Sequence, residues 1–365
     1  MIEVYSFFSG MGILDLGFEN AGFKIEFVDE KNTAFLEAYK YARRAMNLCP
    51  KYGYSSKDVG EYLDDKTWNQ QFPEYNNRNS DCFVGFIGGP PCPDFSTAGT
   101  NRGEYGKNGH LTTVYVNLII KRKPDFFVFE NVKGLYKTKK HREYYEKIKR
   151  KLYHAGYSLF DSMENALSYG APQDRERLIL IGFKRQTFGK RIQYEIGRNR
   201  IYNVESIFRL PWPDTDSFVE GGELECPKEI IEELTIQHWF QKNDVYNHPN
   251  AKEKFTVRNQ TRFVSIPEGS SKGKSFKRLH RWRYSPTAAY GNNEVHLHPY
   301  FPRRLSVSEA LAIQSLPKSF ELPHTLSLSA KFKMIGNGVP YLLSLGIASE
   351  LNDWLAIHLP KQEEQ

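Results

Sequence analysis

"IEVYSFFSGMGILDLGFENAGFKIEFVDE", residues 2–30, decides the fold. Its opening "IEVYSFF" reads as a buried strand, and Gly10 and Gly12 then turn the chain into a helix, roughly Ile13 to Ala21, closed by Gly22. "FKIEFV" reads as a second strand that ends in Asp29 and Glu30. Strand, glycine turn and helix bring backbone N–H groups close to a ligand. Glu30 stands twenty residues after Gly10, the spacing at which an acid bonds ribose hydroxyls. Asp15 occupies the third-glycine position of a G-x-G-x-x-G, so a nucleoside-type cofactor without phosphates fits better than a dinucleotide. Phe8 is placed to stack on an adenine and Asp58 to meet its exocyclic amine. A core role for Phe8 and a helix-cap role for Asp58 stand beside those readings.

Further along, a helix is expected from about Asn32 to Met46, and "DCFVGFIG" (81–88), "DFFVFE" (125–130) and "RLILIGF" (177–183) read as strands. Strands alternating with helices predict an α/β fold with an open, mostly parallel sheet and a ligand site at the strand carboxyl ends. After Phe183 the alternation stops. Residues 185–300 read as a smaller irregular domain with a short helix around Pro227 to Leu234. Residues 301–365 return to the first domain, 1–184, through a helix capped by Ser306 and Glu309 and an amphipathic tail over 341–358.

The 365 residues can bury a full core, and no window approaches the roughly 18 apolar residues of a membrane span. With no basic-then-apolar leader, the expected location is the cytoplasm, without membrane contact. Cysteines 49, 82, 92 and 226 form no C-x-x-C pair, which argues against a metal knuckle or disulfide framework and fits a reducing compartment. The net charge of +7 is uneven. Residues 214–233 hold eight acids against one Lys, whereas 252–304 hold twelve Lys or Arg against three Glu. "FKRLHRWRY" interleaves aromatics with that basic run, a composition suited to a phosphate backbone.

In "GGPPCPDFSTAG" (88–99) Cys92 sits between prolines after a strand and before a Gly-rich segment, an unusual place for a packing thiol. A free thiol is mostly protonated at neutral pH, so a nucleophilic role needs a depressed pKa or a nearby proton acceptor. "DFFVFE" delivers Glu130 to the same sheet edge beside Asn131, and a carboxyl leaving an apolar strand is poised for a raised pKa. Gln173, Arg175 and Arg177 alternate, so they point to one side of a strand entrance, to hold a base edge or phosphate or to form a structural ion pair.

In this order the motifs resemble those of the DNA (cytosine-5)-methyltransferases. "FFSGMGILDLGFENAGF" is similar to their cofactor motif, "GGPPCPDFS" to their Pro-Cys motif, "ENV" (130–132) to their Glu-Asn-Val motif, and "QDRER" (173–177) to Gln-x-Arg-x-Arg. "RRLSVSEALAIQSLP" (303–317) and "IGNGVP" (335–340) resemble the two closing motifs. The resemblance implies a Rossmann-like domain that uses S-adenosyl-L-methionine, double-stranded DNA as substrate, and a target-recognition domain at 185–300. It implies catalytic roles for Cys92, Glu130, Asn131, Arg175 and Arg177, with the thiolate adding to C6 of a flipped cytosine. Phe8, Ser9, Gly10, Gly12, Ile13, Glu30, Asp58, Val59, Pro90 and Asn337 fall on cofactor positions. Ser96, Lys277, Arg278, Arg281 and Thr287 are the expected DNA contacts. No metal is expected, a monomer is, and a cognate restriction endonuclease is a partner of such enzymes.

The sequence departs from the family pattern at particular places. Ser6 stands where Asp is common, Ile13 replaces a second glycine, and Lys31 stands where an aromatic or aliphatic residue covers the adenine. Pro93 replaces a frequent Gln, and Gly338 a usual Ser or Ala. The main alternative substrate for the same chemistry is tRNA; a dinucleotide-dependent oxidoreductase and a catalytically silent DNA-binding protein are further readings.

Overall fold

The computed structural model describes residues 2–78, 82–91, 107–256, 261–271, 275–288, 290 and 295–360, apart from the side chains of 107–109. The first stretch folds as β1 (Ile2–Phe7), α1 (Ile13–Asn20), β2 (Lys24–Asp29) and α2 (Thr33–Arg44). There follow β3 (Tyr54–Ser55), α3 (Asp65–Gln71), β4 (Phe83–Gly88), α4 (Lys107–Arg122) and β5 (Phe126–Val132). Next come α5 (Lys133–Lys137), α6 (Lys139–His154), β6 (Tyr157–Asn165) and β7 (Glu176–Lys184).

These strands form one sheet in the order β3-β2-β1-β4-β5-β7-β6. It is parallel through β5, whereas β7 runs antiparallel to β5 and β6 antiparallel to β7. The strand reading of the five apolar runs holds, because strands covered on both faces must be apolar throughout. Tyr5, Phe7, Phe86 and Phe127 point to one face and pack under α3, α4 and α6 through Trp68, Tyr115 and Tyr145. Val4, Ile87 and Val128 point to the other, under α1, α2 and the chain's last helix, through Phe18, Tyr39 and Leu351.

Beyond β7 lie α7 (Arg185–Phe188), α8 (Val204–Arg209), α9 (Ile236–Lys242), α10 (Thr261–Val264) and a parallel ribbon of β8 (Phe276–Arg278) and β9 (Val295–Leu297). The helix expected at Pro227–Leu234 is absent: only Glu232–Leu234 make a 3-10 turn. The helix starts later because Thr235 Oγ1 accepts from His238 N at 3.2 Å, and the apolar residues at helical spacing, Ile236, Trp239 and Phe240, follow that cap.

The chain closes with α11 (Val307–Ile313), α12 (Leu328–Asn337) and α13 (Tyr341–His358). Ser306 and Glu309 form the expected capping box on α11. The tail helix α13 lies on α1, where a Cβ on Gly17 would collide with Ser344, and Ser344 Oγ donates to Leu14 O at 2.6 Å. A third cluster joins Met11, Ile13 and Leu16 of the first turn to Trp239 and Phe240 of α9 and to Leu311 and Ile335.

Candidate active site

Register puts the ends of the central strands in one row: Ser55 beside Asp29, Asp29 beside Phe7, Phe7 beside Gly88, and Gly88 beside Phe129. The residues that follow each therefore share one edge of the sheet: Asp58, Glu30, Phe8 to Gly12, Gly89 to Pro91, and Glu130 with Asn131. This is the carboxyl edge at which open α/β sheets bind ligands.

At the first of these ends the backbone is forced into the left-handed region at Phe8 (φ 55°), Gly10 (φ 59°) and Gly12 (φ 82°). Phe8, half-buried, meets Tyr115 edge to face at 5.9 Å. A Cβ on Gly12 would collide with the Tyr39 ring, while the space at Gly10 is open. Glu30 ties the turn down: Gly10 N donates to its Oε2 at 2.8 Å and Asn32 N to its Oε1 at 2.7 Å. Ser9 is buried, its Oγ donating to Asp29 O at 3.2 Å. Ile13 and Val59 are core residues by their side chains, so only their backbone faces this edge. Asp58 does cap a helical turn, accepting from Gly60 N at 2.9 Å, and its other oxygen pairs with Lys31 Nζ at 2.7 Å.

These residues fit S-adenosylmethionine, the methyl donor that the resemblance of the motifs implies. Burial pushes Asp29 up to about 7 and raises Glu30 above the usual carboxylate range. Glu30 and Asp58 leave this edge lined by carboxyl acceptors, which suit ribose hydroxyls, while Asp29 is fully buried and accepts from the Tyr62 hydroxyl at 3.3 Å. Asn337, exposed at the end of α12, is next to Gly338, which abuts Ile13 at the start of α1. One contributor lay hidden in the sequence: Arg43, buried on the inner face of α2, donates from Nη2 to Gly12 O at 2.7 Å and pairs with Glu19 at 2.8 Å. Its signal is a cation on the apolar stripe Phe35, Leu36, Tyr39, Ala42.

At the other end, Glu130 is buried and its Oε1 lies 2.8 Å from Arg177 Nε, although that N–H is not aligned on the oxygen. Burial raises the Glu130 pKa, and Arg177 and Arg175 work against the rise. A Cβ on Gly89 would stand 2.6 Å from Glu130 Oε2, so the glycine is what lets the loop after β4 close on the acid. Asn131 Nδ2 donates to buried Pro90 O at 3.5 Å, and its Oδ1 accepts from Val132 N. Cys92 and Ser96 lie outside the described residues, one and five positions after Pro91.

Gln173, Arg175 and Arg177 are all buried on one side of the entrance to β7, as their alternation predicts. Two of the Arg175 nitrogens are turned to the protein itself. Its Nη2 donates to Gly336 O at 2.6 Å and its Nη1 to Ala288 O at 3.1 Å, so it clamps α12 and the segment before Tyr290 to the strand. Beside it, Thr287 is exposed and donates its hydroxyl to Asp174 O at 2.7 Å.

Two expected DNA contacts are corrected. Arg278 is fully buried, donating to the carbonyls of Phe263, Ile266 and His298, and burial lowers its pKa to about 10. Arg281 is buried in a bidentate pair with Glu268, Nε at 2.9 Å and Nη2 at 2.8 Å. A guanidinium has five donors, and here carbonyls and a carboxylate inside the protein take them. Lys277 is half-buried on β8.

The C-5 cytosine-specific DNA methylase model matches residues 2–353. A type II methyltransferase of Neisseria meningitidis serogroup C, M.NmeDI, is 51% identical over 97% of this chain and 84% of its own length. A second, M.FnuDI of Fusobacterium nucleatum, is 31% identical over 97% of this chain and 95% of its own. A crystal structure described as a prophage-encoded DNA modification methyltransferase of E. coli superposes with a TM-score of 0.70 over 98% of this chain and all of that one, at 22% identity, a likeness of fold. These relatives favour DNA over tRNA as the substrate. Acids at one end of the sheet edge, a buried Glu–Arg pair at the other, and a family match across nearly the whole sequence agree: the chain belongs to the C-5 cytosine-specific DNA methylases.

Proposed function

We propose that this DNA (cytosine-5)-methyltransferase acts on one cytosine of a specific duplex sequence as the modification partner of a restriction endonuclease, working as a monomer with 185–300 as its recognition domain. The observation that supports the reading most is Glu130 held against both Gly89 and Arg177, on the strand edge from which the chain runs to Cys92 within three residues.

Cytosine C5 is a weak nucleophile and lies inside the stack, so the base must leave the duplex. The Cys92 thiolate forms a bond to C6 while Glu130, protonated, gives its proton to N3, and the C5–C6 π pair becomes available at C5. S-adenosylmethionine, when bound, supplies the electrophilic sulfonium methyl. Loss of the C5 proton to a base then drives out the thiolate, and N3 returns its proton to Glu130. Covalent addition divides one difficult step into easier ones. Arg177 holds the base through O2, Asn131 fixes the Pro90 carbonyl, and Arg175 is a positioning residue. Phosphate contacts orient the duplex, and exposed Thr287 is one such contact.

A duplex carrying 5-fluorocytosine tests the reading, since fluorine cannot leave as a proton does. Incubation with S-adenosylmethionine is expected to give a methylated protein–DNA adduct by mass spectrometry, absent in Cys92→Ala. A wild-type enzyme that methylates DNA without trapping would overturn it.

A further inference from the structure

With Arg278 and Arg281 internal, other cations must meet DNA, and among the described residues α6 carries a dense set of them. From Lys139 to Lys151 one exposed stripe of this helix presents Lys139, Lys140, Lys147, Arg150 and Lys151 with Glu143 among them, and the partly exposed Glu146 lies just beside it. At 100° per residue these positions fall within an arc of about 120°. The opposite side, His141, Tyr144, Tyr145, Ile148 and Leu152, is buried in the core.

Several surface cations elsewhere are compensated: Lys121 and Arg122 pair with Asp65, Lys51 with Glu74, and Lys149, on the flank of α6, with Glu146 and Asp161. Lys139, Lys147, Arg150 and Lys151 have no such acid among the described residues. Like charges one turn apart, as at 147, 150 and 151, weaken a helix.

We propose that this stripe is a second DNA-backbone surface, separate from the base-reading face and binding duplex without regard to sequence. It begins beside the active site, because α5 and then α6 follow directly from the strand that carries Glu130. From Lys139 to Lys151 it extends about 18 Å, the rise of about five base pairs. No aliphatic side chain lies in the arc for insertion into a bilayer, so a nucleic acid suits it better than an anionic membrane.

The test is the salt dependence of binding to a 40-base-pair mixed-sequence duplex. Each phosphate contact adds about 0.9 to the slope of log affinity against log salt. K147Q/R150Q/K151Q is expected to lower that slope by about 2–3 and to weaken low-salt binding at least tenfold, with S-adenosylmethionine affinity unchanged as evidence of an intact fold. E143Q is expected to tighten binding. A control triple of exposed lysines on other faces, K24Q/K66Q/K190Q, is expected to leave the slope alone. An unchanged slope in the stripe variant, or an equal loss in the control, overturns the proposal. So does loss of binding to phosphatidylserine vesicles with DNA binding retained.

Discussion

Arg177 Nε stands 2.8 Å from Glu130 Oε1, on neighbouring antiparallel strands whose register places Val132 opposite Arg177. The sheet itself thus sets the separation of the two charged groups. The unaligned N–H leaves that oxygen without a directed donor, and a buried acceptor in that state favours a proton or a new partner.

Glu130→Gln keeps the shape and removes the transferable proton. Turnover is expected to fall by about 10²–10⁴, the usual scale for a general acid, with DNA affinity retained. Because burial raises the Glu130 pKa, the acid form needed for turnover is lost as pH rises through that value. The rate should therefore decline on the alkaline side in wild type, and the same limb should flatten in the variant. Steady-state rates between pH 6 and 9 check both.

Gly89→Ala places a methyl group 2.6 Å from Glu130 Oε2 and must push the acid aside. Displacement of a catalytic group by about 1 Å costs about 10² in rate. The expected result is that loss in kcat with S-adenosylmethionine binding, by calorimetry, little changed.

Two departures from the family pattern answer each other. Ile13, in place of a glycine, fills the space that a Cβ on Gly338 would need. Gly338→Ser alone is expected to destabilise, and Ile13→Ala alone to cost about 2–5 kcal/mol as a cavity. Together they should cost less than their sum, with a coupling of about 0.5–3 kcal/mol in urea unfolding. Strict additivity would separate the two sites.

His296 and His298 are buried and their pKa values are pushed down to about 3, chiefly by burial. Folded, they stay neutral; unfolded, they take up protons below about 6.5. Stability is therefore expected to fall as pH drops from 6.5, by at most about 1.4 kcal/mol per unit for each histidine. His298→Asn should lower the starting stability and make the acid slope shallower, measured as denaturant midpoints at pH 7 and 5.

Much of this was legible. β1, β2, β4, β5 and β7 are continuous apolar runs, because both faces of the sheet are covered, and their polar ends mark the site edge. β6, "YSLFDSMEN", was missed because it lies at the sheet's rim, with partly exposed side chains on both faces and no clean period. The basic run over 252–304 misled, since charge counts do not reveal that Arg278 meets carbonyls or that Arg281 meets Glu268. Arg43 escaped notice for the same reason: its helix pattern shows that it is inside, and only the fold shows that it holds Gly12.

The lid of α13 on α1 sets an order of events during synthesis. The glycine turn leaves the ribosome well before the surface that steadies its helix, which is made more than 320 residues later. A nascent chain therefore carries an uncovered apolar face until α13 has been made, and methyl-donor competence waits for that helix.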